Sequence, residues 1–262
     1  MIVLGIDTAT AATAVALRLS DGSSSEERDD PAPGRHPGHA TRLLEMAGAL
    51  IAGAGISWRE IDRIAVGVGP GTFTGLRVGV ASARGLAQSL SSELVGVSSL
   101  QALAAVALAP SGAPGAGLRA PATPPAGGVL AVIDARRGEA FAAAYARAGE
   151  HETLELTAPR ALAPERLADA LPRAGGGVPS EPRAWLAVGD GALRFRSHLE
   201  SFGMRVPADG SPLHRVSAAM ICELGEGAAP VASYEDVLPD YRRRPDAELA
   251  LQGAGGAQGA AA

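Results

Sequence analysis

The chain has 262 residues, and 47% of them are apolar, which allows one large domain or two small ones and excludes wholesale disorder. Net charge is −5 and aromatics make up only 3%, whereas a chain that bound nucleic acid by itself would carry a basic excess and stacking aromatics. All 23 basic residues are Arg, so a phosphate loop ending in GKS or GKT, a Schiff-base lysine and a Ser–Lys dyad are excluded.

Val3, Leu4 and Ile6 lead into Asp7 and predict a core strand rather than a signal peptide; Val15 to Leu17 predict a second strand. Asp21-Gly22 reads as a turn, and the polar residues 23–38 read as a loop. Leu43, Leu44, Ala47, Leu50 and Ile51 recur at helical spacing, placing a helix over 39–53 with Gly53 and Gly55 as stops. Ile61 to Val68 reads as a strand, Gly69-Pro70-Gly71 as a tight loop, and Thr74 to Leu90 as a second helix. Leu94 to Val97 is a strand and about Leu100 to Leu108 a helix.

Residues 109–128 break this pattern: 16 of the 20 are Ala, Gly or Pro, and a flexible loop at a domain boundary is expected. Beyond it, strands are expected at Val129 to Ile133, Phe141 to Tyr145, Leu154 to Thr157 and Trp185 to Val188. Short helices are expected at Pro164 to Leu171 and Val216 to Leu224, with a loop over 175–183 and a disordered Ala/Gly tail over 245–262. Alternating strands and helices with hairpins among them indicate an α/β fold with mixed sheets. No apolar run approaches the roughly 18 residues of a membrane span, so a cytoplasmic protein is expected. The single Cys222 among apolar neighbours reads as a buried thiol.

Residues 7–13, Asp-Thr-Ala-Thr-Ala-Ala-Thr, join two strands. Such a hairpin can face a phosphate, with Asp7 near a hydrated metal, or it can simply turn the chain; spacing leaves both open. Residues 67–79, GVGPGTFTGLRVG, join a strand to a helix whose first amides could face an anion. Within that helix Gly75, Gly79, Ala83 and Ala87 stand four apart as a small-residue ridge. The ridge admits either close packing on the chain's own sheet or a helix–helix contact with a partner. His36 and His39 lie three apart, but Pro37 and Gly38 between them argue against a metal pair. His151, His198 and His214 are isolated, and no G-x-S-x-G elbow exists for a Ser–His–Asp triad. Asp134-Ala135-Arg136 puts an acid and a base at a strand end, as part of a site or as an ion pair. Paired acids at 26–27 and 29–30 read as solvated, as does the basic run 242–244.

Five segments then match one pattern in order: GIDTATAATAVAL (5–17), GVGPGTFTGLRVGVASARGLA (67–87), VSSL (97–100), DARRGEAF (134–141) and LPDYRR (238–243). Together they resemble the TsaB (formerly YeaZ) family, the dimerisation subunit of the bacterial machinery that makes threonylcarbamoyladenosine beside tRNA anticodons. The resemblance implies two actin-like lobes, residues 1–108 plus 213–244 and residues 129–212. It implies a subunit without transferase activity of its own, paired with a TsaD-like catalytic subunit and docked by a TsaE-like ATPase. Alone, it would form a homodimer through the same surface, and it would meet tRNA only through the complex. That surface would lie on the helices at 39–53 and 74–90, with His39, Leu43, Met46, Thr74, Gly75, Arg77, Val78, Gly79, Ser82 and Ala83 as interface residues. On that basis Gly79→Arg is expected to block pairing without unfolding the lobe.

Catalytic relatives carry a His-x-x-x-His metal pair whose positions fall here on Ser99 and Leu103. Leu has no donor atom, so no metal and no catalytic residues are expected. Asp7, Thr8 and Thr10 would suit one half of a nucleotide site, and Gly189, Asp190 and Gly191 are the candidate second phosphate loop. No cofactor is therefore assigned to this chain alone, and ATP with Mg is expected only at the level of the complex. The alternative reading is an actin-like small-molecule kinase or ATPase; a metal-dependent peptidase lacks a ligand set.

Overall fold

A computed structural model describes residues 1–32, 35, 37–109, 125, 127–149, 152–172 and 182–242. The expected loops at 109–128 and 175–183 lie almost wholly outside these residues. His36, His151 and the tail over 245–262 lie entirely outside them.

Two mixed sheets organise the chain. The first has the order β3-β2-β1-β4-β5, built from β1 (Val3–Asp7), β2 (Thr13–Arg18), β3 (Ser24–Asp29), β4 (Arg63–Gly69) and β5 (Glu93–Ser98). The first three strands are antiparallel, whereas β1, β4 and β5 run parallel. Their crossovers are α1 (His39–Gly53) and α2 (Phe73–Leu90). β1 is buried along its whole length, as expected of a strand covered on both faces. Alternate residues serve opposite layers: Leu4 and Ile6 pack with Leu43, Met46 and Leu50 of α1 and Val80 of α2.

The second sheet has the order β10-β6-β7-β8, with β9 also paired to β7. Its strands are β6 (Gly128–Arg136), β7 (Glu139–Arg147), β8 (Thr153–Glu155), β9 (Arg160–Leu162) and β10 (Trp185–Val188). Between the sheets in sequence lies α3 (Ser99–Leu108), capped by the Ser98 hydroxyl accepting from the Gln101 amide. The chain closes with α4 (Asp190–Arg194), α5 (Arg196–Ser201) and α6 (Ala218–Gly227). α6 packs on β1, β2 and β4 of the first sheet. It comes close because Gly5 leaves room for the Ala218 carbonyl and Cys222, and Gly225 leaves room for Ala65.

One continuous core joins the sheets. Val3, Ala16, Ala65 and Val97 of the first and Val129, Ala131 and Ile133 of the second pack into one cluster with Leu100, Leu103 and Val106 of α3 and Ile221 of α6. The other face of the second sheet packs Leu130, Val132 and Trp185 on Leu167 and Leu199.

Three expectations need correction. Residues 23–38 are not all loop, because Ser24–Asp29 forms β3. This is an edge strand, exposed or half-buried throughout, so it lacks the apolar alternation that marks a strand. β9, α4 and α5 were not expected, being three to six residues long and too short for a periodic signal. The expected helix at Pro164 to Leu171 is a 3₁₀ helix over Pro164–Ala170. Among the described residues, no helix is long and apolar enough to cross a membrane.

Candidate functional site

Asp7 ends β1 and is buried. Its Oδ2 accepts a hydrogen bond from the Ser99 hydroxyl at 2.6 Å, and its Oδ1 accepts from the Ala9 amide at 3.0 Å. Burial pushes the Asp7 carboxyl above the usual carboxylate range, and those two donors oppose the shift. Gly67 packs directly against this carboxylate: a Cβ there would lie 1.9 Å from Oδ2. The hairpin hydroxyls are also engaged within the chain. Thr8 donates to the Gly75 carbonyl at 2.8 Å, Thr10 accepts from the Ala12 amide at 3.3 Å, and Thr13 meets His39 Nδ1 at 2.9 Å. The glycine-rich loop docks on this hairpin too, since the Thr72 amide donates to the Ala9 carbonyl at 2.7 Å. The amide of Thr72, the residue that caps this helix, thus has a partner in the protein.

The second candidate loop is built as tightly. Gly189 has φ +107°, and a Cβ there would lie 2.1 Å from the Val132 carbonyl oxygen. Only glycine combines that backbone with that approach. Gly191 leaves room for the β6 backbone at Ile133. Asp190 turns its carboxylate to the Asp134 amide at 3.1 Å. Burial pushes the Asp190 carboxyl up to about 6, the neighbouring Asp134 adds to the rise, and the amide bonds oppose it. Asp134 is itself held by Arg136 and Arg194, whose guanidinium groups reach Oδ2 at 3.3 and 3.0 Å. Buried His214 faces the Gly189 and Pro207 carbonyls at 3.1 and 3.2 Å.

Both candidate loops abut the same helix. Ser99 and Leu103 are one turn apart on α3, so they share a face. Ser99 ties down Asp7, while Leu103 Cδ1 lies 3.1 Å from where a Gly189 Cβ would sit. Among the described residues, no three His, Cys, Asp or Glu side chains cluster as a metal site requires.

The expected interface residues divide into two sets. His39, Leu43, Met46, Gly75, Gly79 and Ala83 are buried inside the chain. The ridge on α2 serves the chain's own packing, with a Gly75 Cβ falling 2.1 Å from the Thr8 carbonyl oxygen and a Gly79 Cβ 2.2 Å from Thr8 Oγ1. This corrects the expectation for Gly79→Arg, because any side chain there strikes Thr8 before it meets a partner. Burial also holds His39 below the ordinary histidine range, with Asp29 opposing. Thr74 and Arg77 are exposed and Val78 and Ser82 half-buried on the outer side of α2, next to exposed Ala81 and Gly85. On α1 the outer side carries Leu44, 48% exposed, which helical spacing alone assigns to the core face. Sequence reasoning also missed Phe73 and Tyr241. Their rings lie 5.3 Å apart, Arg77 stacks 3.8 Å over Phe73, and its Nε donates to Tyr241 Oη. Both residues lie in the recognised segments, but no spacing rule links positions this far apart.

The family model described as TsaD, tRNA N6-adenosine threonylcarbamoyltransferase, matches residues 35–183, more than half of the chain. The tRNA threonylcarbamoyladenosine biosynthesis protein TsaB of Escherichia coli is 35% identical over 147 residues, 56% of each chain. The protein of the same name from Haemophilus influenzae is 36% identical over 104 residues, 40% of this chain and 42% of its own. The chain thus spans about half the length of the curated relatives it matches. The solved structure of YeaZ from Pseudomonas aeruginosa superposes with a TM-score of 0.68 at 29% identity, covering 91% of this chain and 100% of that one.

Proposed function

The chain belongs to the TsaD family of tRNA N6-adenosine threonylcarbamoyltransferases, with TsaB and YeaZ proteins among its relatives, and we propose that it is the TsaB-type subunit of such a machinery. In this reading it carries no transferase chemistry of its own. It pairs with a TsaD-like catalytic subunit, receives a TsaE-like ATPase, meets tRNA only through the assembly, and acts in the cytoplasm. Any ATP and Mg belong to the assembled complex.

The observation that carries the reading is the use of Ser99 and Leu103. At the two places where the resemblance puts the histidines of catalytic relatives, one side chain is spent on Asp7 and the other is an apolar plug against Gly189. The Asp7 carboxylate is buried and holds hydrogen bonds from Ser99 and Ala9 within the chain. We divide the chain into lobes 1–108 plus 213–244 and 129–212; the two sheets and the return of α6 to the first support that division.

The pairing surface in this proposal is the outer side of α1 and α2, centred on Leu44, Thr74, Arg77, Val78, Ala81 and Ser82. A self-complementary helix pair closes as a two-fold homodimer when the partner is absent. Reconstitution tests the function: catalytic subunit, ATPase, threonylcarbamoyl donor system and unmodified tRNA, with and without this chain. Modified adenosine is expected only when this chain and the catalytic subunit are both present. Product without the catalytic subunit, or without this chain, overturns the reading; turnover of ATP by the isolated chain would favour an actin-like kinase or ATPase.

A further inference from the structure

We propose that Phe73, Arg77 and Tyr241 form a recognition corner that takes a carboxylate of the catalytic subunit and so favours that subunit over a second copy of this chain; the inference rests on the function proposed above. Six large apolar side chains are exposed among the described residues, and three of them, Phe73, Leu238 and Tyr241, belong to this corner. Phe73 opens α2, and the other two lie on a strap over residues 231–242 that runs beside that helix. The corner is continuous with the outer side of α2, because Arg77 belongs to both.

The strap is tied down along its length. The Val231 amide donates to the Leu94 carbonyl at 3.0 Å, and the Asp240 amide donates to the Val68 carbonyl at 2.8 Å. Arg84, two turns beyond Arg77 on α2, donates to the Glu235 and Val237 carbonyls. Val237 is buried, and a Cβ on Gly96 would lie 3.4 Å from it. These ties present the Tyr241 ring 5.3 Å from Phe73, where Arg77 stacks over Phe73 and gives its Nε–H to Tyr241 Oη at 3.1 Å. Side chains already held this way lose little freedom when a partner arrives.

Arg77 keeps its charge unmatched. Its Nε is engaged, but among the described residues no carboxylate reaches its terminal N–H groups. Exposed aromatics with a guanidinium on them have the composition of an interface anchor, and the complement of that guanidinium is a carboxylate. A second copy supplies the complement poorly. α2 carries Arg77 and Arg84 and no acid, and the one acid of α1, Glu45, is already held by Arg42 at 2.7 Å. Two copies paired through these helices therefore bring arginines from both sides and no free acid, whereas a different subunit is under no such symmetry. The rings favour a protein over RNA. Arg77 takes one face of Phe73 and Tyr241 tilts against it at 39°, so no open platform is left for a base, and the net charge of −5 disfavours phosphate.

The test compares two equilibria of the full chain by sedimentation, pairing with the catalytic subunit and self-association. Arg77→Glu should weaken pairing with the catalytic subunit by about tenfold or more, while self-association changes by less than about threefold. Arg77→Lys keeps the charge and should recover most of the affinity. Tyr241→Ala removes the ring that Arg77 leans on and should weaken the same pairing about 3- to 10-fold. Both positions are exposed, so the variants should melt with the wild type; Arg77→Gln reads the charge alone if the reversed charge disturbs the helix. Unchanged pairing in the folded Arg77 variants overturns the inference, and so does an equal loss in both equilibria. A complex that assembles normally but loses tRNA affinity in these variants overturns it in favour of RNA. A wild-type chain that does not pair with the catalytic subunit overturns the function proposed above and the inference with it, whereas pairing indifferent to this corner overturns the inference alone.

Discussion

The Ser99 hydroxyl donates to Asp7 Oδ2 at 2.6 Å, tying the first residue of α3 to the last residue of β1 across 92 positions of sequence. Ser99→Ala leaves a buried carboxyl with one donor fewer. We expect a loss of about 1–3 kcal/mol, because a buried acceptor without its partner keeps its desolvation penalty. Urea denaturation of the two proteins measures it; equal midpoints would mean the bond carries no net stability.

Glycines on α2 separate space from conformation. A Cβ added at Gly85 would meet nothing within 4 Å, so Gly85→Ala should stabilise by about 0.5–1 kcal/mol through helix propensity alone. Gly79→Ala puts its methyl 2.2 Å from Thr8 Oγ1 and should destabilise by about 2 kcal/mol or more. Melting temperatures moving in opposite directions would verify the inward ridge, and two increases would refute it.

Asp190 makes stability depend on pH in a definite direction. Its carboxyl titrates near 6 in the folded chain and at the ordinary, lower carboxylate value when unfolded. Over the interval between those values the folded state holds a proton that the unfolded state has released. Stability from this group is therefore complete at low pH and is lost as pH rises through about 6. Asp190→Asn cannot ionise and keeps an oxygen for the Asp134 amide. Its melting temperature relative to wild type should climb between pH 4 and 7, by the equivalent of roughly 1–2 kcal/mol given partial solvent screening. A difference that stays flat with pH would contradict this.

Ala81 is exposed on the outer side of α2. Ala81→Arg should leave the unfolding free energy within about 0.5 kcal/mol of wild type, as surface changes usually do. It should nevertheless weaken self-association and pairing with the catalytic subunit by tenfold or more. Sedimentation of the variant as a dimer of unchanged affinity would move the pairing surface elsewhere.

Buried strands and amphipathic helices were legible because their apolar spacing is a local signal. β10 coincides with its expected bounds, and α1 begins at His39 as read. β3 was not, since an edge strand of Ser, Glu, Arg and Asp buries too little to leave a pattern. The ridge on α2 was seen but its direction was not: four-residue spacing shows that one face is small, and only Thr8, 71 positions from Gly79, says which way that face points. Ser99 and Leu103 were picked out by their place in a motif, while their separate roles toward Asp7 and Gly189 exist only once two distant loops meet on one helix.

Because α3 lends Leu100, Leu103 and Val106 to a core that both sheets share, neither sheet can swing without stripping apolar surface from the other. A close-packed interior of this kind transmits strain instead of absorbing it.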